Sequence, residues 1–379
     1  MTVLNRVAEL RAAGREVISL CAGEPAQGAP SEVRRRAVEL MTDRTRLGYT
    51  ETFGIRPLRE QIAAHYARWY GLELDSGKIC VTTGSSGAFL LAFLAAFDPE
   101  DRVALTRPGY PAYRNILSSL GCQVVELDCG PNQRFQPTLE LLDAAHAERP
   151  LAGLVLASPA NPTGTMVRDE QLGALAAWCR ENSVRLVSDE IYHGIVSGDS
   201  VGSCARLHQS AAIVISSFSK YWGMTGWRLG WMLVPDDLIK AVDALAGNYA
   251  LCAPVPAQHA AIQAFTDSSY AEAGAAVETF ADARTTLLDA VPELGWTSVA
   301  PADGAFYVYA GLGDRLGHFT DSVAWCAGLL DEEGVALTPG TDFDRVAGDR
   351  FVRVSLSAGP EAVSLALIRI LRFQERHCR

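Results

Sequence analysis

Lys220 ends the run Ser216-Ser217-Phe218-Ser219-Lys220, directly after the apolar stretch Ala211-Ala212-Ile213-Val214-Ile215, and Arg228 follows in the same segment. A lysine just past the end of a buried strand is poorly explained as a solvated surface charge. The nearby arginine lowers its proton affinity further. Such an amine suits attack on an aldehyde, because only the neutral form is nucleophilic and the free side chain has a pKa near ~10.4. Asp189 closes another apolar run, and Glu190 and Tyr192 follow it. A carboxylate at that depth needs a partner, either a structural arginine or a protonated ring nitrogen. Gly84-Ser85-Ser86-Gly87 lets backbone N–H groups converge on an anion such as a phosphate, although an ordinary strand-to-helix turn would use the same residues. In Ser158-Pro159-Ala160-Asn161-Pro162-Thr163-Gly164, two prolines and a glycine fix an irregular turn that leaves the Asn161 amide free for a ligand or for an Asx turn. In Phe351-Val352-Arg353-Val354-Ser355-Leu356, alternation puts Arg353 on the face opposite Val352, Val354 and Leu356. Its planar fork fits a carboxylate, and a surface ion pair is the plainer use.

These residues must be carried by an alternating framework. Short apolar runs predict strands at Ile79–Thr83, Val103–Thr106, Gln123–Leu127, Gly153–Ala157, Arg185–Ser188, Ile213–Ser216 and Gly230–Val234. Amphipathic stretches between them predict helices at Ala88–Phe97, Ala112–Leu120, Leu139–Ala147 and Glu170–Asn182. The pattern implies an α/β fold whose mainly parallel mixed sheet is sandwiched by helices. After Pro235 helices dominate, and a smaller α+β unit follows, with strands near Phe306–Tyr309 and Phe351–Leu356 and a last helix Pro360–Gln374. The expected division is a large domain over residues 37–284 and a small discontinuous one made of residues 1–36 and 285–379. In open sheets of this kind, ligands gather beyond the carboxyl ends of the strands, where the chemically suggestive residues sit.

With 379 residues, 49% of them hydrophobic, the chain can bury the cores of two domains. A formal net charge of −11 argues against nucleic acid as a partner. No stretch approaches the roughly 18 apolar residues of a membrane span. The nine cysteines contain no C-x-x-C pair, so they read as small hydrophobes in a reducing compartment. The first twenty residues mix Arg and Glu into a helical pattern unlike a signal peptide, and the expected location is the cytoplasm.

Taken in order, these motifs resemble the class I/II aminotransferases among the fold-type-I enzymes that use pyridoxal 5'-phosphate. The resemblance runs from about Gly23 to Arg353. It implies that Lys220 holds the cofactor as an aldimine, and that Asp189 pairs with the pyridine nitrogen. Asn161 and Tyr192 would bond the 3'-oxygen, while Ser85, Ser86, Gly87, Ser217 and Arg228 would hold the phosphate. Tyr110 matches the aromatic residue that stacks on the ring. Tyr49 matches the tyrosine that reaches the phosphate of a neighbouring subunit, so a homodimer with shared active sites is implied. Arg353 matches the clamp on the substrate α-carboxylate, with Gly23 and Asn161 beside it. The implied reaction passes an amino group from an L-amino acid to a 2-oxo acid, with Lys220, Asp189 and Tyr192 as catalytic residues. Some aspartate-using relatives carry a lysine where Ser86 stands here, which points this chain toward a neutral donor. The segment Gly247-Asn248-Tyr249-Ala250-Leu251-Cys252 falls where a partner subunit would line the pocket.

A β-lyase or specialised biosynthetic enzyme would keep this fold and cofactor and change the reaction. Gly198-Asp199-Ser200-Val201-Gly202 matches the nucleophile elbow of serine hydrolases, but it lacks a strand leading in and a helix leading out. A cofactor-sensing regulator would be expected to carry a basic helix-turn-helix ahead of Gly23. The seven histidines are scattered, without H-E-x-x-H, and no metal is expected.

Overall fold

The computed structural model describes residues 2–198 and 201–377. Among the described residues there are twelve strands: β1 (Ile18–Ser19), β2 (Ile79–Thr82), β3 (Arg102–Arg107), β4 (Gln123–Asp128), β5 (Gly153–Ala157), β6 (Arg185–Asp189), β7 (Ile213–Ser217), β8 (Gly230–Leu233), β9 (Tyr307–Gly311), β10 (Val335–Ala336), β11 (Thr338–Pro339) and β12 (Phe351–Ser355). The large sheet has the order β2-β8-β7-β6-β5-β3-β4. Strands β4, β3, β5, β6 and β7 are parallel neighbours, and β8 runs antiparallel to both β7 and β2. All seven strands were legible as short runs rich in β-branched and aliphatic residues.

The reason is burial on both faces. In β5, Leu154 and Leu156 enter one core with Leu186 and Val214, while Val155 enters a second with Val187, Ile213 and Ile215. A strand covered on both sides has no polar face to alternate with. Helices Arg56–Tyr70 and Asp169–Glu181 cover the first core through Leu58, Ile62, Leu172 and Leu175. Helices Gly84–Ala96 and Pro111–Ser119 cover the second through Ala88, Phe89, Tyr113 and Leu117.

A smaller antiparallel sheet, β11-β12-β9, forms the third core with helices Ser322–Glu333 and Pro360–His377, through Val308, Val352, Val354, Trp325 and Phe373. Ile191, Tyr192 and Ile195, which follow β6 of the large sheet, pack into this same core. The two layers therefore share side chains next to the site. The chain start closes on the small sheet, with β1 pairing in parallel to β10. Helix Thr2–Ala12 sets Val7 and Leu10 against Leu330 and Ala336. Helix Ser31–Thr42 instead sends Val33 and Leu40 into the large-sheet core. Among the described residues, no helix is long and apolar enough to cross a membrane.

Candidate active site

The carboxyl ends of β2, β5, β6 and β7 open on a cavity of about 530 Å³. Since β8 runs the other way, its start lies at this same edge, and Arg228 precedes it by two residues. Gly23, Ser85, Ser86, Tyr110, Asn161, Asp189, Tyr192, Lys220, Arg228 and Arg353 all line the cavity. They come from positions up to 330 residues apart in the chain and meet where the rim of the large sheet faces the small one.

The Lys220 amine donates to the Gly23 carbonyl at 2.5 Å. Burial, reinforced by the positive charge of Arg353, pulls its pKa down to about 8. A substantial neutral fraction is therefore present at mildly alkaline pH. Asp189 is pushed the opposite way, to about 6, because burial penalises its charged form. One of its oxygens accepts from the Tyr113 hydroxyl and the other from the Ile191 N–H at 3.1 Å. The remaining lone pairs can take a proton-bearing nitrogen on the cavity side. Glu190, the next residue, is turned away. Its Oε1 accepts from the Ser188 hydroxyl and the Ala205 N–H.

Ser85 and Ser86 sit in the first turn of helix Gly84–Ala96, four residues earlier than the sequence pattern predicts. Gly84 takes φ +65, and a Cβ there would lie 2.5 Å from Arg228 Nη2. The guanidinium thus rests against the helix start itself. Free backbone N–H groups, two hydroxyls and an arginine form a compact anion site.

Arg353 is 5% exposed and has no acidic partner among the described residues. Its Nη1 donates to Asn161 Oδ1 at 2.9 Å and Nη2 to the Cys21 carbonyl at 2.8 Å, while Nε has no partner. The ring of Tyr307 lies 4.5 Å from its Cζ and that of Phe343 4.8 Å. A buried cation held by neutral groups is incomplete without an anion. A carboxylate entering the cavity would supply it.

Three expected residues stand off the cavity wall. Ser217 is buried, and its Oγ accepts from the Ser219 N–H. Gly87 lies one helical position beyond the two serines, facing Thr83. Tyr49 is 83% exposed and does not line this chain's own cavity. Residues 247–249 end helix Ile239–Tyr249, and residues 250–252 follow as its exit. Asp199 and Ser200 of the elbow-like motif lie outside the described residues. The structure adds Leu4, Phe89, Tyr113 and Tyr307 to the wall. Tyr113 stands one helical turn from Tyr110 in the same motif, a spacing that could have marked it. Tyr307 follows the period-2 rule, since Tyr309 pairs with Arg353 and Tyr307 with Ser355 in the β9–β12 register.

The sequence matches the family described as aminotransferase class I and II over residues 15–371. It is 50% identical to the valine–pyruvate aminotransferase of Mycobacterium tuberculosis, across 98% of this chain and 94% of that protein. It is 30% identical to an aspartate aminotransferase of Bacillus subtilis, across 100% and 96% of the two chains. An aminotransferase crystal structure from Mycobacterium tuberculosis superposes with a TM-score of 0.96 at 48% identity, covering 100% of this chain and 96% of that one. The Thermus thermophilus aspartate aminotransferase with maleate gives 0.90 at 32%, covering 98% and 95%.

Proposed function

Because the chain belongs to the class I and II aminotransferases, enzymes that exchange an amino group between an amino acid and a 2-oxo acid, we propose that it does so with pyridoxal 5'-phosphate on Lys220 and a neutral aliphatic amino acid as donor. The donor set supports that cofactor. It offers an amine of lowered pKa for an aldehyde, a helix start with Arg228 for a phosphate, a carboxylate for a ring nitrogen, and the half-exposed Tyr110 ring for a flat face. When bound, pyridoxal phosphate supplies the aldehyde and a ring able to take up the electron pair left on the substrate α-carbon.

The protein's own groups do the rest. Arg353, with Asn161 and the Gly23 backbone, binds the α-carboxylate and fixes the α-carbon before Lys220. The Lys220 amine would take the α-proton as general base and, as general acid, deliver it to the carbon that was the cofactor's aldehyde. Asp189 keeps a proton on the ring nitrogen. Tyr192 would give a hydrogen bond to the cofactor's 3'-oxygen, and Tyr110 would cover the ring and exclude water.

The observation that carries the choice of donor is the cation inventory. Lys220, Arg228 and Arg353 are the positive side chains on the described wall, and each already has a task. None remains on this chain's described wall for a second carboxylate. Leu4, from helix Thr2–Ala12, stands at the cavity wall instead, and an aliphatic side chain meets it without desolvating a charge. The valine–pyruvate activity named for the Mycobacterium tuberculosis relative agrees with this reading. Mixing the holoenzyme with single amino acids and following the loss of the aldehyde-form absorbance tests it. Valine or a close aliphatic relative is expected to react at least about tenfold more efficiently than aspartate; a preference for aspartate sinks the assignment.

A second copy completes the site in this reading. Tyr49, Val38, Met41, Tyr249 and Leu251 are large apolar residues exposed on the single chain, and a twofold contact would cover such residues and bring Tyr49 to the partner's phosphate site. A cytoplasmic location belongs to the same reading.

A further inference from the structure

Tyr307 is 1% exposed and touches three groups that the proposed function assigns to different tasks. Its ring lies beside the Arg353 guanidinium, 4.5 Å from Cζ. Its hydroxyl oxygen packs against Gly23, where a Cβ would come within 3.2 Å of it. The same hydroxyl lies 2.9 Å from that of Tyr192, its only hydrogen-bond partner among the described residues. Burial pushes both phenols up, so both keep their protons at neutral pH.

Each hydroxyl has one proton and two lone pairs. If Tyr192 gives its proton to a ligand oxygen, the proton that bridges the two phenols must belong to Tyr307. The reverse orientation would aim a lone pair of Tyr192 at the ligand and leave an anionic oxygen there without a donor. We infer that Tyr307 is a positioning residue: it donates to Tyr192, thereby committing the Tyr192 proton to the cofactor's 3'-oxygen, while its ring holds Arg353 in register for the substrate carboxylate. The inference rests on the cofactor reading above and goes beyond it. One side chain of the small sheet joins the group that tunes the cofactor to the group that binds the substrate.

Tyr307→Phe keeps the ring and removes only the hydroxyl. A hydrogen bond given to an anionic oxygen favours the deprotonated state of the conjugated system. Weakening Tyr192 as a donor should therefore raise the pH midpoint of the bound cofactor's absorbance titration, by about half a unit to one unit. Tyr192→Phe should raise it further. The double variant should match Tyr192→Phe alone, because Tyr307 acts through Tyr192. KM for the amino donor should stay within about twofold in Tyr307→Phe and rise several-fold in Tyr307→Leu, which also removes the ring beside Arg353. An unmoved midpoint in Tyr307→Phe, or a shift in the double variant equal to the sum of the singles, overturns the inference while leaving the cofactor assignment standing. A wild-type protein with no aldehyde-form absorbance overturns the cofactor assignment, and this inference with it.

Discussion

On the large-sheet wall of the cavity, Ser85, Asn161, Asp189 and Lys220 each lie at or just past the end of a strand. On the opposite wall, Leu4, Tyr307 and Arg353 come from three segments that meet only through the small sheet and its helices. The first wall is made of short-range motifs, each a strand end followed by a turn. The second is made by long-range packing. On the proposed reading the difference matches a division of labour, in which the groups that act on the cofactor and the moving proton sit mainly on the first wall, and groups that hold the donor's carboxylate and side chain sit on the second. Variants on the first wall should affect all donors alike, and variants on the second should separate them by carboxylate, at Arg353, or by side chain, at Leu4.

The largest effect is expected from Lys220→Ala, which removes the amine that moves the proton. Turnover should fall by at least about 10³-fold with every amino acid tried, measured as 2-oxo acid formed. A loss confined to some donors would break the comparison. Arg353→Leu comes next. It should lower kcat/KM by roughly 10²-fold for amino acids, mostly through KM, while leaving cofactor content and its absorbance near wild type. A simple amine lacking a carboxylate should not feel the change.

Asp189 gives a stability test of the cofactor-free chain. Its carboxyl is pushed up from 3.8 to about 6 in the fold. Between those values the folded chain keeps a proton that the unfolded chain has released. Its contribution to stability therefore falls as pH rises through that window, by on the order of 3 kcal/mol, and is constant above it. Asp189→Asn should flatten the slope, read from urea midpoints at several pH values. The smallest effect is expected from Leu4→Arg, which places a cation at the mouth. The ratio of aspartate to valine efficiency should rise several-fold while turnover of alanine changes little. An unchanged ratio would remove Leu4 from the recognition wall.

Legibility follows the same line. The seven large-sheet strands could be read because burial on both faces leaves continuous apolar runs, and Lys220 and Asp189 stand out as charges at the ends of such runs. Arg353 could be read because its strand alternates. The tasks of the Tyr113 and Tyr307 hydroxyls could not. Each tyrosine reads as one more core aromatic, in helix Pro111–Ser119 and in β9, and only its neighbours in space give its hydroxyl a task. Helices Ser31–Thr42, Arg56–Tyr70 and Ser322–Glu333 also went unread. The start of helix Gly84–Ala96 was misplaced because glycine and serine suggest a turn. Here Gly84 supplies the turn, at positive φ, and the serines already belong to the helix.

By itself the chain's residue order determined the alternating framework, the strand ends and the reactive groups placed on them, since these depend on local periodicity and on the expense of burying a charge without purpose. Tertiary structure alone decided that Arg353 has no counter-ion among the described residues, that the phenols of Tyr192 and Tyr307 share one proton bridge, and that Leu4 stands over a cavity nearly the whole chain away from Arg353. Those facts depend on which surfaces pack together, and packing is settled by shape and solvent exclusion across the entire molecule rather than by any segment of it.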